Sequence, residues 1–150
     1  MIGEIIEADP NSRRPLPVLD EQTGYYWRGG AQGQLLIARC DRCHRYEHPP
    51  LLRCAGCGGD ALTPSPVSGR GRIATFTVNH EAWTPALPVP FVFAAVELVE
   101  QPQLYVFSNI VSPVEQVRVG MPVTVFFERH GDVYLPLFRP VTGDYRVPRK

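Results

Sequence analysis

Short apolar runs of strand length, rather than long helical stripes, set the pattern of this chain. Leu35-Leu36-Ile37-Ala38-Arg39 is the first compact run. From Gly69 onward the pattern alternates: over residues 70–80, Ile73, Thr75 and Thr77 take one face and Ala74, Phe76 and Val78 the other. Residues 91–99 are almost continuously apolar, which predicts a strand buried on both sides. Further strands are expected over 103–111, 123–129 and 133–138, the last two joined by a His130-Gly131-Asp132 turn. Residues 112–119 leave room for about two helical turns, with Ser112 as cap and Glu115 at the capping-box offset. Upstream, residues 20–34 predict a short helix that starts near Asp20 and fades at Gly29-Gly30. Tyr25, Tyr26 and Trp27 are consecutive there, so they cannot share one helical face.

Five strands with one helical connection between the third and fourth is the order of a small Greek-key barrel, the OB-fold. The expected architecture is mainly β: a flexible arm over 1–19, a short helical segment over 20–34, a metal-binding ribbon over 35–60, a five-stranded OB-fold barrel over 69–140 and a tail over 141–150. The arm is expected to be loose because Pro10, Pro15 and Pro17 bar a helix interior. Residues 61–68, with Pro64 and Pro66, read as a linker.

All four cysteines of the chain lie in two Cys-x-x-Cys pairs, Cys40/Cys43 and Cys54/Cys57, ten residues apart. Two such turns facing each other supply the four soft ligands of a tetrahedral Zn²⁺ site. With four thiolates spent on the ion no coordination position stays open, so the metal is structural. Iron in the same ligand set is the chemical alternative. Two disulfides would need an oxidising compartment, and the Met1-Ile-Gly-Glu start does not resemble a secretory leader.

Lys+Arg and Asp+Glu both total 15, giving a formal net charge of zero. That speaks against a nucleic-acid partner, whose affinity comes mainly from neutralised phosphates. No apolar run reaches membrane-spanning length. Sixteen prolines and thirteen glycines disfavour long helices. These totals fit a cytoplasmic, β-rich protein.

No nucleophile elbow, free cysteine or phosphate-binding glycine loop stands out. His80 beside Glu81 is the best acid–base candidate, although neighbours on a strand point to opposite faces. His130 is expected to be exposed in its turn. A CoA thioester needs cations for its phosphates and an apolar groove for its acyl part. Arg70 and Arg72 at the start of the first barrel strand, with Trp83 in the following loop, are the candidates. Tyr26 and Trp27 are candidate anchors for a ligand or a protein. Arg39, Arg42, Arg45 and Arg53 form a basic set around the cysteines, which solubility and surface pairing also explain.

Trp27, Leu35, Cys40, Cys43, Pro49, Pro50, Cys54, Cys57, Gly69, Gly71, Phe76-Thr77-Val78, Pro90 and Gly120-Met121-Pro122-Val123 together carry a resemblance. Over roughly residues 20–140 the chain resembles the rubredoxin-like zinc-ribbon plus OB-fold family, long catalogued as a domain of unknown function and described as acyl-CoA-associated. The resemblance implies a non-catalytic accessory subunit that docks on a thiolase-superfamily enzyme as a hetero-oligomer. The partner would be a lipid-transfer-protein-type thiolase acting as an aldolase, or a condensing or acyltransferase relative, in steroid side-chain or other acyl-CoA metabolism. It also implies Cys40, Cys43, Cys54 and Cys57 as ligands of structural Zn²⁺, and acyl-CoA as a candidate ligand. Two places depart from the family pattern: Gly29-Gly30, which weakens the helix, and Gln101-Pro102-Gln103, where a glycine turn is usual. The alternatives are a single-stranded nucleic-acid-binding OB-fold and ribbon protein, and a rubredoxin-like electron carrier.

Overall fold

The computed structural model describes residues 3–141; the tail expected beyond 141 lies outside them. Among the described residues nine strands appear in chain order: β1 Ile5–Glu7, β2 Leu35–Cys40, β3 Tyr46–Glu47, β4 Leu62–Val67, β5 Arg70–Asn79, β6 Phe91–Leu98, β7 Tyr105–Ile110, β8 Pro122–His130 and β9 Val133–Pro140. One α-helix, α1 Gly24–Arg28, continues into a 3-10 turn over Gly29–Gln32.

The last five strands close on themselves. β5 pairs with β6, β6 with β7, β7 with β9 in parallel, β9 with β8, and β8 with β5. This 1-2-3-5-4-1 circuit is that of the OB-fold. A bulge between Ile73 and Thr75 breaks the alternation expected for β5. Before the bulge Ile73 faces the core, and after it Phe76 and Val78 do. A single extra residue thus switches the inward parity, since side chains alternate with period two. Expected burial on both faces of β6 holds only in part. Val92, Ala94, Ala95 and Val96 are buried, but Phe93 is 44% exposed. The connection before β8 is one 3-10 turn, Val114–Gln116, with Pro113 rather than Ser112 at its start.

β3, β2 and β4 form the second sheet. The segment expected as a linker is therefore a six-residue edge strand. Pro64 lies opposite Ala38 and Pro66 opposite Leu36. An edge strand accepts proline at sites whose N–H would face away from the neighbour. The ribbon is also not separated from the barrel. Leu35 and Ile37 of β2 and Tyr26 of α1 share one core cluster with Ile73, Val96, Val106, Phe127 and Phe138.

The arm is tied down in its first half, against expectation. β1 runs parallel to β8 with Ile5 opposite Phe127. Glu7 pairs with Arg129 at 3.2 Å and Glu4 with Arg139. The apolar residues and paired charges of 4–7 outweigh the proline content on which the expectation rested.

The α-helix ends at Gly29, as expected, and continues only as the 3-10 turn, whose close approach to the barrel Gly30 permits. A Cβ on Gly30 would fall on Tyr134 Cβ and within 2.6 Å of Phe127 Cδ1. The segment ends at Gly33, which takes the left-handed conformation (φ 66°) and returns its N–H to the Gly29 and Gly30 carbonyls. Asp20 caps the preceding turn by accepting from the Thr23 and Gln22 N–H groups at 2.7 and 3.0 Å.

Candidate functional site

The two Cys-x-x-Cys turns are built on one plan. The Cys40 carbonyl accepts from His44 N–H at 2.9 Å, and Cys40 N–H donates to the Arg45 carbonyl at 2.8 Å. In the second turn Cys54 repeats both bonds, with Gly58 and Gly59. The fifth position of each turn is left-handed, His44 at φ 66° and Gly58 at φ 74°. His44 is therefore a turn residue in this arrangement, and its carbonyl accepts from Arg39 Nε at 2.9 Å.

The four Sγ atoms lie within 4.8 Å of one another. Cys40 and Cys57 are 3.6 Å apart and Cys43 and Cys54 3.4 Å. A tetrahedron of about 2.3 Å Zn–S bonds has edges of about 3.8 Å, so the set is sized for such an ion. Gly56 and Gly59 N–H groups donate to the Cys54 and Cys57 sulfurs at 3.3 and 3.4 Å. The thiols cannot all ionise together without a cation. Backbone N–H bonding at Cys43, then at Arg42, draws the Cys40 thiol down to about 7. Cys43, although the Arg45 N–H favours its thiolate, is pushed up to about 12 by the neighbouring sulfurs of Cys54, Cys57 and Cys40. A divalent ion removes that conflict. The cysteines are thus positioned for metal binding.

Sequence reasoning passed over Glu47, which braces this site. It is 7% exposed. Its Oε1 accepts from Ala55 N–H at 3.0 Å and from Arg45 Nε at 3.2 Å, and lies 3.8 Å from Cys54 Sγ. A carboxylate buried beside four cysteines in a β-strand leaves no periodic trace in the sequence. Three of the four arginines around the site have partners: Arg39 lies over the Tyr46 ring, Arg45 bonds Glu47 and Arg53 donates to the Gly58 carbonyl.

The other candidate residues do not converge. Arg70 and Arg72 stand at one end of β5, while His80 and Trp83 lie beyond its other end, about 30 Å along an extended strand. His80 is exposed, and Trp83 is 80% exposed. His130 is not an exposed turn residue: it ends β8, with a mostly buried side chain and its Nε2 2.6 Å from Glu128 Oε1. Tyr26 is a core residue at 6% exposure, packed edge-on to Trp27 and against the His48 ring. Trp27 is half-buried and remains at the surface.

Near Trp27 the barrel presents an aromatic face. Phe93 of β6 and Phe107 of β7 stack with centroids 6.1 Å apart, and Phe107 is 63% exposed. Beside them a cleft of about 270 Å³ is walled by Tyr26, Trp27, His48, Pro49, Tyr105 and Phe107. Burial holds the His48 imidazole neutral, drawing its pKa down to about 4. Among the described residues no helix is long and apolar enough to cross a membrane.

Two family models match in succession. Residues 27–63 match "ChsH2, rubredoxin-like zinc ribbon domain", and residues 65–128 match "ChsH2, C-terminal OB-fold domain". The chain is 31% identical over 138 residues to a probable enoyl-CoA hydratase alpha subunit of Thermomonospora curvata, a match covering 91% of this chain and 43% of the relative. It is 30% identical over 135 residues to the 3-oxo-4,17-pregnadiene-20-carboxyl-CoA hydratase alpha subunit of Mycobacterium tuberculosis, covering 89% of this chain and 42% of that protein. The chain thus spans less than half the length of these curated relatives. Among solved structures it resembles a chain of the "Ltp2-ChsH2(DUF35) aldolase", with a TM-score of 0.75 and 29% identity, over 83% of this chain and 98% of that one. A DUF35-family protein of unknown function from Sulfolobus solfataricus shares the fold, with a TM-score of 0.56 at 12% identity over 81% of this chain and 86% of that one. The chain belongs to the ChsH2-type, or DUF35, family of rubredoxin-like zinc-ribbon plus OB-fold proteins.

Proposed function

We propose that this chain is an accessory subunit that docks on a thiolase-superfamily enzyme and supports turnover of an acyl-CoA there. The observation that carries the reading is the likeness to nearly the whole of one chain of the Ltp2-ChsH2(DUF35) aldolase. The hydratase named for the longer relatives is not assigned to this chain, which matches under half of each. Cys40, Cys43, Cys54 and Cys57 would hold a structural Zn²⁺, whose chemistry there is cross-linking of the two turns. Around it, Glu47 orients the second turn and the shared core carries that rigidity into the barrel. Arg70 and Arg72 offer guanidinium charge for a CoA phosphate, and Trp27 and Trp83 offer apolar surface to the partner.

Co-expression with each thiolase-superfamily protein of the source organism tests the reading. The expected result is a stoichiometric complex by size exclusion with light scattering, and cleavage of a 3-hydroxyacyl-CoA that needs both chains. A thiolase-type protein fully active alone, or no co-elution with any of them, overturns it.

A further inference from the structure

The aromatic face beside α1 is already half covered, and its cover shows what it accepts. Pro15 and Pro17 of the chain's own N-terminal segment line a second cleft, about 210 Å³, together with Tyr26, Trp27, Phe93 and Phe107. Arg14 pins that segment in place, its Nη2 donating to Asn109 Oδ1 at 2.5 Å. Asn109 is itself fixed by its Nδ2 donating to the Val92 carbonyl at 3.0 Å. An extended, proline-bearing strip of chain is therefore seated on one side of the Phe107 ring. On the other side the 270 Å³ cleft between Pro49 and Phe107 has the same kind of wall.

We propose that this second cleft takes an extended, proline-bearing apolar segment of the partner subunit, laid alongside the chain's own Pro15–Pro17 strip. The inference rests on the accessory-subunit reading and names its docking surface. Three observations select this occupant. No Asp, Glu, Lys or Arg side chain lines the cleft and burial holds His48 there neutral, so it complements an uncharged segment rather than a charged one. Its aromatic and proline walls are of the kind that grip pre-extended proline segments at low entropic cost. Finally, the exposed rings amount to a few hundred Å² at about 200 Å² per aromatic. That is the size of a hot-spot core within a larger heteromeric interface, not of a self-sufficient contact between two copies.

The test uses the full chain, labelled for amide spectra and titrated with a capped oligoproline peptide. In parallel, affinity for a co-purifying thiolase-type protein is measured for the wild type, Phe107→Asp and Val119→Asp. Phe107 and Val119 are both exposed, so the variants are expected to fold, and their amide spectra check this. The expected result is peptide-induced shifts concentrated at Thr23, Trp27, Tyr105 and Phe107. Phe107→Asp should abolish them and weaken the partner roughly thirtyfold or more, against less than about threefold for Val119→Asp. Peptide shifts without any thiolase-type complex would uphold the cleft and sink the accessory reading. A complex indifferent to Phe107→Asp, with no peptide shifts, would uphold that reading and sink the cleft. Selective response of the same amides to an acyl-CoA or to oligo-dT, or dilution-dependent dimers lost in Phe107→Asp, would reassign the face to a thioester, a nucleic acid or a second copy, and so overturn the proposal.

Discussion

The side-chain amide of Gln101 grips both backbone groups of Tyr46. Its Oε1 accepts from the Tyr46 N–H at 2.8 Å and its Nε2 donates to the Tyr46 carbonyl at 3.0 Å. The bend after β6 thereby acts as an extra partner strand for β3 and clamps the ribbon to the barrel. Neighbouring Gln103 adopts the left-handed conformation a glycine usually takes (φ 62°), with its N–H held by Glu97 at 2.9 Å. The departure from the family's glycine turn is thus replaced by two side-chain bonds. Gln101→Ala is expected to cost about 1–3 kcal/mol in urea denaturation. It should also speed amide exchange at Tyr46 well ahead of the barrel strands. Unchanged exchange at Tyr46 would remove the clamp from the account.

Glu47 tests the bracing of the metal centre. Glu47→Ala leaves the Ala55 N–H without its acceptor, and outer-shell losses of this kind lower metal affinity about 10–100-fold. Competition with a chromophoric chelator reads the change directly. Glu47→Gln, which keeps an acceptor but drops the charge facing Arg45, should fall between. Equal zinc retention in all three proteins would show that Glu47 serves packing alone.

His48 predicts an acid dependence whose sign follows from its burial. Its imidazole titrates near 6.5 in the unfolded chain but near 4 when folded, because desolvation disfavours the charged form. Between these values the unfolded state binds the extra proton, so stability falls as pH drops from about 6.5 to 4. The loss is at most about 3 kcal/mol at 1.36 kcal/mol per pKa unit. Urea midpoints at pH 7 and pH 5 should differ less for His48→Gln than for the wild type. An identical slope in the variant would exclude His48 as the source.

Gly30 predicts a packing limit. Gly30→Ala drives a methyl group into Phe127 and Tyr134 and should destabilise by about 1–3 kcal/mol, seen as a lower Tm. A Tm equal to or above the wild type would mean that the 3-10 turn can lift off the barrel at no cost.

The parts legible in the sequence are those fixed by local spacing. The Cys-x-x-Cys pairs, the strand leading into them and the five barrel strands follow from short-range pattern, and the structure places each within a few residues. The parts that were not legible depend on distant partners. Residues 5–7 become a strand because β8 lies beside them, and 62–67 because β2 does. The bulge before Thr75 flips the inward face of β5 without any change in its alternation of residue types. Glu47 and Gln101 look like surface polar residues until the turns they bond are brought to them. Phe93 reads as core by hydropathy, yet it sits on an outward face, stacked on the exposed Phe107 ring.

β4 has a consequence for how this protein can associate. Thr63, Ser65 and Val67 spend their N–H groups on β2, and the intervening Pro64 and Pro66 have none to offer. The outer rim of the ribbon therefore presents carbonyls but no donors along that stretch. An incoming strand would find only half of a ladder there, which guards the sheet against edge-to-edge stacking and fibre growth. Any partner must accordingly recognise the ribbon through its side chains rather than by lengthening its sheet at β4.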